Sequence, residues 1–252
     1  MHFTVLGSSC SAPRPGRACS GYLVEAGASA VVLDFGSGVL ANLVLERPAD
    51  TIDAIVITHM HSDHFLDLIT LRYALKYGSR SNDRKIALLL PPGGEAILRG
   101  MVEPLSDEPA GDFFAAVCHV STYDPLRSLR IGDLQLRFAP TVHSTPTYAI
   151  RCEAASSLTY SADTGLCAPV EELARGTDLF LCEATLVLTH SGAYDHCRPE
   201  DAGAMAERAA ARRLLLTHYS SEISETELQQ RARSAYSGDL AVADDHLQLE
   251  VA

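Results

Sequence analysis

Thr58-His59-Met60-His61-Ser62-Asp63-His64 is the stretch that decides how the chain is read. Three histidines and one aspartate fall within six residues, directly after the apolar, β-branched run Ile55-Val56-Ile57. A strand that ends in such a cluster delivers imidazoles and a carboxylate to one spot at its C-terminal edge. Neutral imidazole and carboxylate suit zinc, manganese or iron, whereas a thiolate set would point to a purely structural zinc. His59 and His61 lie two apart and can converge on one ion. Asp63 and His64 lie further along the turn and can face a second. The competing interpretation, a solvated polar loop after a buried strand, leaves this spacing unexplained.

Working outward, Ile52 to Ile57 is the strand that feeds the cluster, and Phe65 to Tyr77 has apolar residues at helical spacing, ended by Gly78 to Asn82. Residues 2–6 read as a first strand. Gly21 to Glu25 and Ala30 to Asp34 read as a hairpin, followed by a short helix from Gly36 to about Leu45 that Pro48 stops. Ile86 to Leu90 is a buried strand, and residues 101–115 read as an irregular or short helical segment beside the site. Leu134 to Phe138, Thr147 to Cys152 and Ser157 to Tyr160 are strands, the last two forming a hairpin. A helix over 168–174, the strand Leu179 to Cys182, an alanine-rich helix from Pro199 to Arg212, the strand Leu214 to Thr217, a helix from Glu222 to Ala235 and a closing pair of strands over 240–250 complete the order. No linker, charge block or fixed-period repeat interrupts it, and the expectation is one domain spanning residues 1–252, built from two packed sheets with outer helices.

Bulk properties narrow the function. A chain of 252 residues can bury a substantial core. No apolar run reaches transmembrane length, and Met1 to Gly7 lacks the basic start and long apolar run of a secretory signal, so the expected location is cytoplasmic, with no membrane partner. The seven cysteines are scattered, odd in number and without a C-x-x-C pair, which favours reduced thiols. Twenty Lys plus Arg against 32 Asp plus Glu give a net charge of −12, which disfavours a large nucleic-acid interface. A small anionic substrate stays compatible, because bound divalent ions supply local positive charge.

The local grammar of the cluster recurs. His143 follows Phe138-Ala139-Pro140-Thr141-Val142, Asp163 follows Leu158-Thr159-Tyr160-Ser161-Ala162, and His218 follows Leu214-Leu215-Leu216-Thr217. Each alone reads as a polar residue capping a strand; together with the cluster they make seven metal-competent residues at strand ends. With these residues in place the sequence resembles the metallo-β-lactamase superfamily. T-H-M-H-S-D-H matches its H-x-H-x-D-H motif, His143, Asp163 and His218 match later single residues in order, and Leu6-Gly7-Ser8-Ser9 and Val32-Leu33-Asp34-Phe35-Gly36 look like its first strands. The resemblance implies a four-layer αβ/βα sandwich, an α+β fold with the site at one edge of two sheets. It also implies two divalent metal ions, zinc before manganese or iron: His59, His61 and His143 on one, Asp63, His64 and His218 on the other, and Asp163 between them. An Asp at the bridging position resembles hydrolases with two similar metals more than the zinc β-lactamases.

Two further segments narrow the resemblance. Leu181-Cys182-Glu183-Ala184-Thr185 resembles the E-A-T segment of ribonuclease Z-like phosphodiesterases, and His196 sits where that group has a histidine before an alanine-rich helix. There the histidine contacts the scissile phosphate or the leaving oxygen and the glutamate orients it. An alkoxide leaving group needs a proton donor, and a held imidazole can be one. Asp63, His196 and Glu183 are therefore the candidate catalytic residues, and Asp34 is a candidate partner for a ligand histidine. In tRNA-processing members a long arm is inserted between the third histidine and the bridging Asp. Here His143 and Asp163 are twenty positions apart and a hairpin occupies the interval, so a smaller substrate is expected, as in compact bacterial cyclic-nucleotide phosphodiesterases. The expected activity is hydrolysis of a small phosphodiester by a metal-bridging hydroxide. The alternatives are a carboxylic ester, thioester or lactone hydrolase on the same site and a non-catalytic metal-binding protein. Homodimers are common in the branch that the chain resembles. Tyr73, Phe113 and Phe114 are stacking candidates for a base, though such aromatics are more often core. His2, His119, His190 and His246 match nothing and are expected to be structural or solvent-facing.

Overall fold

Period-two alternation divides the side chains around the cluster between two cores. Ile55 and Ile57 face one, and Ala54 and Val56 face the other. The computed structural model describes residues 1–78, 83–188 and 194–252, and repeats this division strand after strand. The first six strands are β1 (His2–Gly7), β2 (Gly21–Ala26), β3 (Ser29–Leu33), β4 (Ala54–Val56), β5 (Ile86–Leu90) and β6 (Cys118–Thr122). They are followed by β7 (Leu129–Ile131), β8 (Leu134–Pro140), β9 (Tyr148–Glu153), β10 (Ser157–Tyr160), β11 (Leu179–Glu183), β12 (Arg213–Thr217), β13 (Asp239–Val242) and β14 (Gln248–Glu250).

Two seven-stranded sheets result, in the orders β14-β1-β2-β3-β4-β5-β6 and β13-β12-β11-β10-β9-β8-β7. Each begins with antiparallel pairs, β14 to β3 in one and β7 to β10 in the other, and finishes with parallel ones. Parallel neighbours end at the same edge of a sheet, so the residues that follow β3, β4, β10, β11 and β12 are gathered together.

The inter-sheet core takes Phe3, Val5, Val31, Leu33, Leu158, Leu181 and Leu215 from facing strands. The outer face of the first sheet is covered by α1 (Val39–Glu46), α2 (Ser62–Phe65), α3 (Leu68–Tyr77) and α4 (Gly94–Val102), through Leu43, Phe65, Leu71 and Leu98. That of the second is covered by α5 (Ala168–Leu173), α6 (Pro199–Arg208) and α7 (Glu225–Arg233), through Val170, Met205 and Leu228. The arrangement is the expected four-layer αβ/βα sandwich. None of the seven cysteines forms a disulfide, and all but Cys10 are buried.

Several local expectations are corrected. The helix expected over 65–77 is two helices. Asp67 lies at the junction, and its Oδ2 accepts from the N–H groups of Gly38 and Leu40, both at 2.9 Å, so it caps the start of α1 from another segment. The expected end of that helix at 79–82 lies outside the described residues. β6 went unanticipated: it is an edge strand with a mostly exposed, polar sequence. The closing strands over 240–250 do not pair with each other, since β13 joins the second sheet and β14 returns to the first. Phe113 and Phe114 are core residues, Phe113 lying 4.3 Å beneath the Arg72 guanidinium.

The turn after β3 packs against the cluster so closely that Gly36 admits no side chain. A Cβ there would lie 1.9 Å from the Asp63 carbonyl oxygen and 2.7 Å from Cys19 Cβ. Gly36→Ala should destabilise the fold by about 1–3 kcal/mol, the usual cost of overpacking. Gly100, inside α4 with nothing within 4 Å of an added Cβ, is the contrast. Gly100→Ala should leave stability unchanged or raise it by up to about 1 kcal/mol. Denaturant unfolding of the two variants checks this, and equal effects would refute the packing argument.

Candidate metal centre

At the common edge of the two sheets the backbone turns sharply out of its strands. Asp34 after β3, Ala162 after β10 and His218 after β12 adopt φ values of 58°, 53° and 50°. Left-handed conformation in a non-glycine residue costs on the order of 1–3 kcal/mol and collects where function requires it. Here it turns Asp34, Asp163 and His218 into the space between the sheets.

All seven residues singled out from the sequence meet there. The ligand-capable atoms of His59, His61, His143 and Asp163 lie within 4.8 Å of one another, and so do those of Asp63, His64 and His218. Asp163 stands between the groups. Its Oδ2 is 3.7 Å from His59 Nε2 and 3.9 Å from His143 Nε2, and its Oδ1 is 3.3 Å from His64 Nε2. His61 Nδ1 is 3.0 Å from His143 Nε2, and Asp63 Oδ2 is 3.2 Å from His218 Nε2. The first sheet's segment contributes His59, His61, Asp63 and His64, and the second sheet's segments contribute His143, Asp163 and His218.

Hydrogen bonds behind the rings decide which nitrogen of each carries the proton. His64 Nδ1 donates to Asp34 Oδ2 at 2.7 Å. The Thr58 hydroxyl donates to the same oxygen at 2.9 Å, so at 3.1 Å it accepts from His59 Nδ1. The Thr185 hydroxyl donates to the His218 carbonyl at 2.7 Å and accepts from His218 Nδ1 at 2.9 Å. His143 Nδ1 donates to the Asp195 carbonyl at 3.0 Å. In all four rings Nδ1 is committed to these partners and Nε2 is the nitrogen aimed into the cluster, the atom through which a metal would be held. His59 Nε2 and Asp163 Oδ1 are buried without any hydrogen-bond partner. Buried polar atoms are rarely left so, and a divalent cation between these donors satisfies them. The donor set of imidazole and carboxylate fits such an ion.

The charges are consistent with a cation-seeking site. Burial pushes the His59 pKa well below the usual histidine range, aided by His64. Burial likewise opposes charge on His64, but Asp163 and Asp34 outweigh it and hold its pKa well above that range. Burial disfavours the Asp163 carboxylate, yet the surrounding His218 and His64 rings bring its pKa well below the usual carboxylate range. Asp63 is lowered in the same sense, by His218 and His64 against its own burial, and its Oδ2 also accepts from the Ser11 N–H at 2.7 Å.

His196 and Glu183 are also brought to the site. His196 Nδ1 donates to Glu183 Oε1 at 2.8 Å, and Glu183 is fully buried and further held by the N–H groups of Thr164 at 2.6 Å and Thr185 at 3.2 Å. The His196 ring centroid is 4.8 Å from that of His143 and 6.0 Å from that of His218. Burial disfavours its charge, but the Glu183 carboxylate prevails and its pKa is pushed up to about 9. The remaining histidines stand apart. His2 pairs with Glu250, His246 pairs with Glu46, and His119 is exposed on β6; His190 lies outside the described residues.

With this geometry in hand, comparison with known proteins is informative. The sequence pattern of the beta-lactamase superfamily domain matches residues 22–219. The chain belongs to this family. Rv1339 of Mycobacterium tuberculosis, an uncharacterized protein, is 34% identical over 94% of this chain and 88% of its own length. YhfI of Bacillus subtilis, a probable metallo-hydrolase, is 28% identical over 96% and 97%. Its crystal structure, that of a metallo-beta-lactamase fold protein, superposes with a TM-score of 0.88 and covers 98% of each chain at 25% identity. Ribonuclease Z of Mycobacterium bovis is 26% identical over 100% of this chain and 98% of the relative. The chain is thus a metallo-hydrolase superfamily member whose His/Asp cluster is suited to divalent metal.

Sequence reasoning found Asp34 but missed the groups that act with it. Tyr160, on β10, donates its phenol to Asp34 Oδ2 at 3.0 Å, and the Thr58 N–H donates to Oδ1 at 2.8 Å. Asp34→Ala strands the His64, Thr58 and Tyr160 donors. It should weaken divalent-metal binding by about 10- to 100-fold, the usual effect of losing a group that holds a metal ligand. Tyr160→Phe removes one donor from a filled site and should lower apoprotein stability by only about 1 kcal/mol, with a smaller loss of metal affinity. Chelator competition on both variants tests the ranking, and wild-type affinity in Asp34→Ala would contradict it.

Proposed function

We propose that the protein is a two-metal phosphodiesterase acting on a small substrate, with zinc the first metal to test and cyclic nucleotides the first substrate class. The observation that carries this reading is the Glu183–His196 pair at 2.8 Å beside the cluster. An alkoxide leaving from phosphorus needs a proton donor, and this pair is placed to be one. Similarity to ribonuclease Z supports a diester substrate. The short β9–β10 hairpin between His143 and Asp163 and the net charge of −12 support a small one.

His59, His61 and His143 would hold one ion, Asp63, His64 and His218 the other, and Asp163 would contact both. Such ions supply an activated water and neutralise charge on the phosphoryl oxygens. The protein's own part is positional. Glu183 accepts from His196 Nδ1, which leaves Nε2 facing the cluster with a proton for the departing ester oxygen. Two backbone N–H groups fix Glu183 in turn, so the ring cannot swing without breaking a buried network. Ser11 N–H orients Asp63 in the same way.

The reading makes a graded prediction. His196→Ala should reduce turnover of 3′,5′-cyclic AMP, whose leaving alkoxide needs protonation, by about 10²- to 10⁴-fold. It should affect bis(p-nitrophenyl) phosphate far less, because p-nitrophenolate departs unaided. Asp163→Ala should abolish both. Metal-reconstituted protein that hydrolyses p-nitrophenyl acetate but no diester would overturn the proposal in favour of an ester, thioester or lactone substrate.

A further inference from the structure

Three sets of ligand-capable side chains converge in the centre, not two. Besides the sets around His59 and His64, the ligand-capable atoms of Asp163, His196 and His218 lie within 4.8 Å of one another. Asp163 and His218 each belong to two sets, and His196 is the added member. Burial ranks the sets. The side chains of His64, His218 and Asp63 are 0%, 2% and 11% exposed, whereas that of His196 is 21% exposed. The third set is therefore the outer one: His196 is open to an ion arriving from solvent, and His64 is not.

His196 is held in the way that a metal-binding histidine is held. Its Nδ1 donates to Glu183 Oε1 at 2.8 Å, as His64 Nδ1 donates to Asp34 Oδ2 at 2.7 Å. Both carboxylates are fully buried, and both also accept from backbone N–H groups, Glu183 from Thr164 and Thr185 and Asp34 from Thr58. A carboxylate behind the ring fixes the imidazole and makes it a more basic ligand. Thr185 ties two members of the outer set together. Its N–H donates to Glu183 Oε2 at 3.2 Å, and its hydroxyl meets His218 Nδ1 at 2.9 Å. Asp163 adds negative charge, and its buried Oδ1 has no hydrogen-bond partner. Two imidazoles and a carboxylate are the same donor types as Asp63, His64 and His218 provide, so the two positions suit the same ion.

We propose that Asp163, His196 and His218 form an outer position for a divalent ion, through which the second ion passes on its way to Asp63, His64 and His218. Because the Thr185 hydroxyl holds Nδ1, His218 has one nitrogen to offer a metal, and the two positions exclude each other. An ion in the outer position displaces the Nε2 proton of His196 to solvent. That is the proton that a leaving group would otherwise take, so metal loading and proton donation compete for one ring. The inference rests on the two-metal reading of the cluster and is independent of the phosphodiester substrate.

The test counts zinc. Metal-free protein is titrated with Zn²⁺ in a calorimeter, and the bound metal is measured by elemental analysis. Asp63→Asn removes an inner ligand but keeps an oxygen for the Ser11 N–H, so this variant should still take up a second equivalent, now in the outer position. Adding His196→Ala to it should weaken that equivalent by at least about 10- to 100-fold, the loss that even a group behind a ligand produces. His196→Ala alone keeps the inner set. It should reach the wild-type zinc content but fill the second position several-fold more slowly in stopped-flow mixing with a zinc-sensitive dye. Equal zinc affinity in the single and double Asp63 variants, loss of the second equivalent from Asp63→Asn, or wild-type uptake kinetics in His196→Ala would overturn the outer position. A wild type that binds one ion would overturn it together with the two-metal reading. Two ions with these variant effects but no diester turnover would leave the outer position standing and remove the phosphodiesterase.

Discussion

The centre depends on one buried carboxylate. Asp34 is fully inaccessible and accepts from four donors: the Thr58 N–H, the Thr58 hydroxyl, His64 Nδ1 and the Tyr160 phenol. Through His64 it acts on one ligand group, and through the Thr58 hydroxyl it fixes His59 in the other. A carboxylate in such a position is costly to desolvate and is tolerated because its lone pairs are satisfied. It converts rings that could each adopt two tautomers into rings that present Nε2 to the same point.

Tyr160 brings the second sheet into this arrangement, and a neighbouring tyrosine does the same in the opposite direction. Tyr22, on β2, hydrogen-bonds through its phenol with the Thr217 hydroxyl of β12 at 2.8 Å, and its ring lies 4.8 Å from that of Tyr160. The inter-sheet core is aliphatic for most of its depth but closes at the site with polar links that run from sheet to sheet. Aliphatic packing tolerates small sliding of one face over another. Hydrogen bonds with heavy-atom distances near 3 Å do not. A cluster whose members come from both sheets requires that the two keep one relative position, and these links supply it.

How much of this could be read beforehand follows from how each residue acts. The seven ligand candidates were legible because each sits directly after an apolar β-branched run, and a polar residue there has few other reasons to be histidine or aspartate. Glu183 and His196 were legible through the E-A-T segment. Thr58, Thr185 and Tyr160 were not, because a threonine beside a histidine or a tyrosine in a strand is ordinary until the distances are known. Ser11 and Asp195 act through backbone atoms and leave no trace in residue type at all. The same reason explains errors in the fold: Asp67, at the junction of two helices, serves a helix start about thirty residues away, and the separation of β13 from β14 depends on which edge each reaches.

Drawing candidate ligands from both sheets has a consequence for the history of the chain. His64 and His218 face each other with their Nε2 atoms 3.3 Å apart and 154 positions apart in sequence. Closing so long a loop carries an entropic cost. A cation held by both rings would be a reversible crosslink across most of the polypeptide. Such an ion would be captured only after the second sheet has been assembled against the first and would then oppose their separation, so the candidate ligands would also lock the tertiary structure.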